Sequence, residues 1–241
     1  NKYLRFIDYF TTSSQPIAEA YQKLYPDKIP VTILNAFPIN ASIREPEINI
    51  NGFIKLLWFS QTIGPNRGIE DIIDALAVLK NHPFELHLMG FISTEKRDSF
   101  IGKQIFEKSL NIHFHDPVRP DDLATFASGF DIGLASEPAF SINNNLALSN
   151  KIFTYLQAGL AVVASDTAGQ LSLLNEYPSI GKIYQKGNVR SLADTLLFYQ
   201  EHREELLEAR KASYMLARKN INWETEGRSF LAVVEKILNT Q

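Results

Sequence analysis

From about residue 53 onward, apolar runs of strand length alternate with stretches whose apolar residues recur at helical spacing, the pattern of a parallel sheet with crossover helices. The first unit is the nearly all-apolar run 53–59, then a loop, then Ile69, Ile72, Ile73, Leu76 and Leu79 on one helical face. That strand is buried and its helix packs over it. Further strands are expected at 84–89, 111–114, 131–135, 161–165 and, weakly, 182–184. Ser93 or Thr94 can cap a helix of mixed charge, and Asp121 with Asp122 opens a small one. The polar stretch 141–145 interrupts the alternation before a helix from about 149 to 158, which Gly159 ends. After a short helix around 170–174 the tail reads as helical. Val189, Leu192, Ala193 and Leu196 make one apolar stripe, and Phe230, Val234, Ile237 and Leu238 another. Between them Glu204, Glu205 and Glu208 precede Arg210, Lys211, Arg218 and Lys219, an order that suits a helix dipole and reads as a solvated face. The fold class is α/β, a doubly wound parallel sheet.

Residues 1–44 stand outside this alternation. Residues 3–12 read as strand, most clearly over 9–13, followed by a helix over 16–25 and a strand over 31–34 ending at Asn35. The segment 39–51, rich in Pro, Asn and Glu, is a linker. The first residue is Asn1 and a strand follows almost at once, so the chain is expected to be a fragment that begins in mid-fold. Its 241 residues suit one full domain over 45–241 plus an incomplete piece over 1–44. With 45% hydrophobic and 21% charged residues it is globular rather than disordered. The 24 Lys and Arg against 27 Asp and Glu supply no overall field for a polyanion, which excludes a generic nucleic-acid binder. No cysteine means no disulfide, thiolate metal site or cysteine nucleophile, and no apolar stretch spans a membrane. The expectation is a soluble, intracellular protein.

In an open α/β sheet, ligands bind beyond the carboxyl ends of strands at the switch point. The loop Ser60, Gln61, Thr62, Ile63, Gly64, Pro65, Asn66, Arg67, Gly68 follows the first strand and offers two glycines and a cation just before a helix N-terminus. Those are the parts of an anion site. They also fit a long strand-to-helix turn with a solvated arginine. A second candidate is 143–151, including Asn145, Asn150 and Lys151. A lysine in a first helical turn opposes the dipole, which makes sense if an anion lies between them, although a surface loop explains it too. His113 and His115 share a strand face and could hold a metal, but beside Asp116 no third ligand is evident and the reading carries no metal site. No G-x-S-x-G turn and no P-loop is present.

Strand 53–59, the loop ending Arg67-Gly68, and KIFTYLQAGLAVVAS from Lys151 to Ser165 together resemble the C-terminal half of retaining GT-B glycosyltransferases, the "glycosyl transferases group 1" set known as glycosyltransferase family 4. The resemblance covers about residues 53–238, including Trp223, and reaches weakly to 9–37, where Ser13 or Ser14 and Asn35 match the end of that family's N-terminal domain. It implies a Rossmann-like C-terminal domain binding a UDP- or GDP-sugar. Arg67 and Lys151 would neutralise the departing diphosphate, and the donor would touch Ser60, Gln61, Gly64, Gly68, Asn145, Asn150 and Thr154. The base would lie against Gly90, Phe91 and the 116–119 loop with Val118. No cofactor or metal is implied, since fixed cations can stabilise the leaving group. Partners would be the donor and a glycan or lipid-linked acceptor reached through the missing domain, as in polysaccharide biosynthesis. The resemblance places the full-length protein in the cytoplasm and allows it to associate peripherally with the inner face of the membrane. Two departures stand out: Gln61 replaces a family arginine, and Thr154 replaces the glutamate that grips the donor ribose. A catalytically silent binding module and a sugar-nucleotide epimerase therefore remain as alternatives. The fragment alone is expected to be inactive.

Overall fold

The computed structural model describes residues 3–7, 9–47, 52–96 and 110–239. Six strands form one parallel sheet: β3 (Ile54–Thr62), β4 (Phe84–Phe91), β5 (Ile112–His115), β6 (Ile132–Ala135), β7 (Ala161–Ser165) and β8 (Gly181–Tyr184). Their spatial order is β5-β4-β3-β6-β7-β8, every neighbouring pair being parallel. The chain winds outward from β3 through β4 to β5, crosses back to β6 beside β3, and winds the other way to β8. The doubly wound α/β expectation holds, and the switch point lies between β3 and β6.

The helices are α1 (Gln15–Leu24), α2 (Ile69–Val78), the single turn α3 (Thr94–Lys96), α4 (Pro120–Ala127), α5 (Ile142–Leu146), α6 (Asn150–Ala158), α7 (Ala168–Glu176), α8 (Val189–Glu201), α9 (Arg203–Lys219) and α10 (Trp223–Leu238). One core layer packs α2 and α8 against Leu56, Trp58, Leu86, Leu134 and Val163, and the opposite layer packs α6 against Leu57, Ala135, Val162 and Ala164. This two-sided burial is why the central strands β3, β6 and β7 read as largely continuous apolar runs. The expected mixed-charge helix after Ser93 is seen only over α3, and its continuation falls outside the described residues.

Gly133 in β6 shows how tightly the second layer is packed. A Cβ there would overlap the ring of Tyr155. Tyr155 is fully buried, with its hydroxyl 3.3 Å from the Leu57 carbonyl oxygen and 3.1 Å from that of Leu134. Gly133→Ala is expected to cost about 3 kcal/mol, the upper range for overpacking. Urea unfolding would read it, and a loss below about 1 kcal/mol would mean that the ring can move aside.

The structure corrects several expectations. Among the described residues of 3–12 only Thr11–Thr12 (β1) is strand, and Leu4–Phe6 is a 3₁₀ turn. β2 is Val31–Thr32, which pairs with β1 in a separate two-stranded parallel sheet, so both strands are shorter than the sequence implied. The stretch 141–145 is largely helical, because the Ser141 hydroxyl caps α5 by accepting from the Asn144 amide at 3.1 Å. The charge run in α9 is not uniformly solvated: Arg210 is 8% exposed and its Nη1 lies 2.8 Å from Asp131 Oδ1. No residue of α10 is buried, and the expected stripe there stays exposed at Phe230 and Leu238. That helix is tied to the N-terminal segment through its first turn: Glu226 accepts from the Leu34 amide at 2.9 Å, Glu224 accepts from the Ile39 amide, and the Trp223 amide donates to Phe37 O.

Candidate functional site

β3 continues to Thr62 and its chain then reverses through Asn66 (φ 61°) and Gly68 (φ 75°) into α2. The positive φ suits glycine, and a Cβ on Gly68 would also run into the backbone of Ser136, just past β6. Ser136 Oγ lies 3.4 Å from the carbonyl oxygen of Arg67. The exits of β3 and β6 are thus in contact at the switch point. The Asn66 amide donates to Glu70 Oε1 at 3.0 Å, an acidic residue in the first turn of α2 where the dipole favours it.

Arg67 is exposed, and its Nη1 donates to Ser60 Oγ at 2.8 Å. A guanidinium carries five N–H donors, and this bond uses one. Ser60 in turn adjoins Gly90, where a Cβ would strike the Ser60 carbonyl oxygen, and the Ile63 amide donates to Phe91 O. Ser60, Arg67, Gly68, Gly90 and Phe91 therefore lie together at the ends of β3 and β4. Gln61 and Phe91 are exposed, Gly64 is half-buried in the same loop, and Val118 is half-buried in the loop after β5.

The residue that sequence reasoning missed is Glu137, which follows Ser136. Its amide donates to Ser165 Oγ at 2.9 Å. Its carboxylate accepts from Asn144 Nδ2 at 3.0 Å, Ser149 Oγ at 2.8 Å and Lys151 Nζ at 2.7 Å. Burial pushes this carboxyl up, but the Lys151 ammonium and the Lys151, Ser149 and Asn144 hydrogen bonds outweigh it and hold the carboxyl below its ordinary 4.5. An anion does lie beside the lysine in the first turn of α6, and in this chain it is an internal one. Lys151 also lies 5.7 Å from the centre of the buried Trp58 ring.

The remaining expected residues support this corner instead of entering it with free polar atoms. Asn145 Oδ1 accepts from the Ala168 amide at the start of α7 at 3.3 Å, and Asn150 Oδ1 accepts from Asn35 Nδ2 at 3.3 Å. Thr154 is buried in α6. Ser14 caps α1 and donates to Leu146 O at 2.8 Å, tying the N-terminal segment to the end of α5. Around Glu137 and Ser165, the buried atoms Asn144 Oδ1, Thr167 Oγ1 and Gln170 Oε1 have no hydrogen-bond partner. Buried polar atoms without partners are uncommon, so these three mark the corner as one that a polar ligand or water would complete.

His113 and His115 do share one face of β5, but the expectation that only Asp116 stands near them is wrong. Glu85 and His87 of β4 face them, because the parallel register sets His87 beside His113.

No curated protein matches the chain by sequence. Among solved structures, HepE of Anabaena in complex with UDP superposes with a TM-score of 0.80 at 19% identity, over 97% of this chain and 65% of that one. Sucrose-phosphate synthase of Thermosynechococcus elongatus gives 0.77 at 16% identity, over 97% and 59%. A glycosyltransferase of Rickettsia africae gives 0.78 at 16%, over 100% and 68%. The chain thus spans 59–65% of the length of the first two, and at these identities the likeness is one of fold: a Rossmann-like α/β fold matching GT-B glycosyltransferases. The family described as glycosyl transferase-like matches residues 67–232, well over half of the chain, and the chain belongs to that family.

Proposed function

We propose that this chain is the donor-binding, C-terminal part of a retaining glycosyltransferase, which moves a sugar from a nucleotide diphosphate sugar to a glycan or lipid-linked acceptor. Residues 45–241 form the donor domain in this reading, and 1–44 are the end of the acceptor domain. The observation that carries the reading is the meeting of the Arg67-Gly68 loop with the Ser136-Glu137 turn at the switch point, with Lys151 on the other side of that turn. Arg67 and the N-terminus of α2 offer a diphosphate a guanidinium fork and a positive dipole end. Lys151 adds a second cation once the diphosphate competes with Glu137 for it. The base rests against Gly90, Phe91 and Val118. Stabilising the leaving diphosphate with fixed cations needs no metal. Because HepE was solved with UDP, UDP is the first nucleotide to try.

The second reading, a silent binding module, is favoured by Thr154, whose buried position in α6 leaves no carboxylate for a ribose, and by the neutral Gln61. Thermal unfolding with UDP, GDP, ADP and CMP, with and without chelator, tests the first reading. At a hundredfold excess over its dissociation constant, UDP should raise the midpoint by roughly 5–10 °C and chelator should not change this. No shift with any nucleotide would remove the donor-binding reading from this chain. UDP binding by a full-length enzyme that transfers no sugar would favour the silent module.

A further inference from the structure

A second cluster lies away from the switch point, in the first half of β4 and on the edge strand β5. Glu85 and His87 are two residues apart on one face of β4, and His113 is the cross-strand partner of His87. One ligand atom from each of the three lies within 4.8 Å of the others, so a cation between them sits no more than about 2.8 Å from each, and closing to the roughly 2.1 Å of zinc bonds takes only small side-chain shifts. The His87 and His113 rings are already stacked, with centroids 4.6 Å apart and planes 16° from parallel.

The His87 ring is also held from its far side. Its Nδ1 lies 2.8 Å from His115 Nε2, and its buried Nε2 lies 3.5 Å from Glu85 Oε2. In the tautomer with the proton on Nδ1, the Nε2 lone pair faces that carboxylate, and a metal ion between them would use both. His115 then does what second-shell groups do for a ligating histidine: it fixes the ring and its tautomer through the other nitrogen. Phe126 and Phe130 pack edge-on against this pair and shield it from water.

We propose that Glu85, His87 and His113 bind one divalent transition-metal ion, zinc by its two-imidazole, one-carboxylate donor set, which clips the edge strand β5 onto β4. A cross-strand clip suits this position, because among the described residues β5 has a sheet neighbour on one side only. The site is distinct from the diphosphate corner and holds whether or not that corner binds a nucleotide.

The test uses chelator-stripped protein titrated with zinc alone, read by equilibrium dialysis and by the thermal midpoint. One zinc per chain is expected, with a rise in midpoint. Because His113 is exposed, His113→Ala should fold normally and should lower zinc affinity at least tenfold, as should Glu85→Gln. His82→Ala and His202→Ala should bind like the wild type, since these histidines lie elsewhere, on Gln200 and Phe198. Wild-type protein that binds no zinc would overturn the proposal, leaving His115, His87 and Glu85 as a hydrogen-bonded chain. Equal binding by His113→Ala would also overturn it.

Discussion

Arg210→Met is expected to lower the thermal midpoint by roughly 6–20 °C, the largest loss of stability from a single charged side chain in this molecule. Arg210 and Asp131 are both 8% exposed, and their ion pair is 2.8 Å long. Arg210 also donates to the carbonyl oxygens of Gly159 and Glu47, while Asp131 Oδ2 accepts from the Lys55 amide at 2.9 Å. The pair therefore joins α9, the turn after α6 and the starts of β3 and β6. Removing the guanidinium strands a buried carboxylate, which costs about 3–5 kcal/mol in comparable cases. Adding Asp131→Asn to the variant removes that charge and keeps an acceptor for Lys55, so much of the loss should return. A single variant that loses less than about 2–4 °C would show that water reaches Asp131 once Arg210 is gone.

The largest effect on ligand binding is expected at Lys151. Lys151→Ala removes one of the two proposed diphosphate cations and leaves the Glu137 carboxylate uncompensated beside the phosphates. Truncating one member of a buried charge pair costs about 2–5 kcal/mol, so UDP affinity should fall at least thirtyfold by calorimetry. Glu137→Gln should do the opposite, because it releases the ammonium toward the diphosphate, and the double variant should lie between. UDP affinity unchanged in Lys151→Ala would refute the role proposed for this lysine. The same pair sets an acid limit. The folded carboxyl of Glu137 titrates below its ordinary 4.5, so its contribution to stability is complete above that pH and is lost as pH falls through the lower folded value. Glu137→Gln should remove that part of the acid sensitivity.

These two expectations rest on residues that differ in how far the sequence reveals them. The central strands β3, β6 and β7 were legible because each is an apolar run buried largely on both faces, and the Arg67-Gly68 loop because it joins a strand and a helix with glycine and a cation. Glu137 lay in a polar stretch with no period, and nothing local shows that Asn144, Ser149 and Lys151 converge on it. Arg210 sits among charges spaced like a solvated helix face, and only the fold brings Asp131, 79 residues away, against it. The neighbours of His113 were hidden for a related reason: strand register cannot be read from one strand. Helix α5 was missed because asparagine has poor helix propensity and its cap, Ser141, was read as loop.

The clasp between α10 and the N-terminal segment affects the order in which the protein matures on the ribosome. The amide of Leu34 waits for Glu226, 192 residues later, and at 5–20 residues per second that is about 10–40 s of synthesis. Through that interval the short β1-β2 pair has neither its acidic latch nor the Phe37 anchor to Trp223. The β3–β8 sheet is synthesised within it and can assemble first. Leu34 and Phe37 thus gain their contacts to α10 only after the β3–β8 sheet has been made.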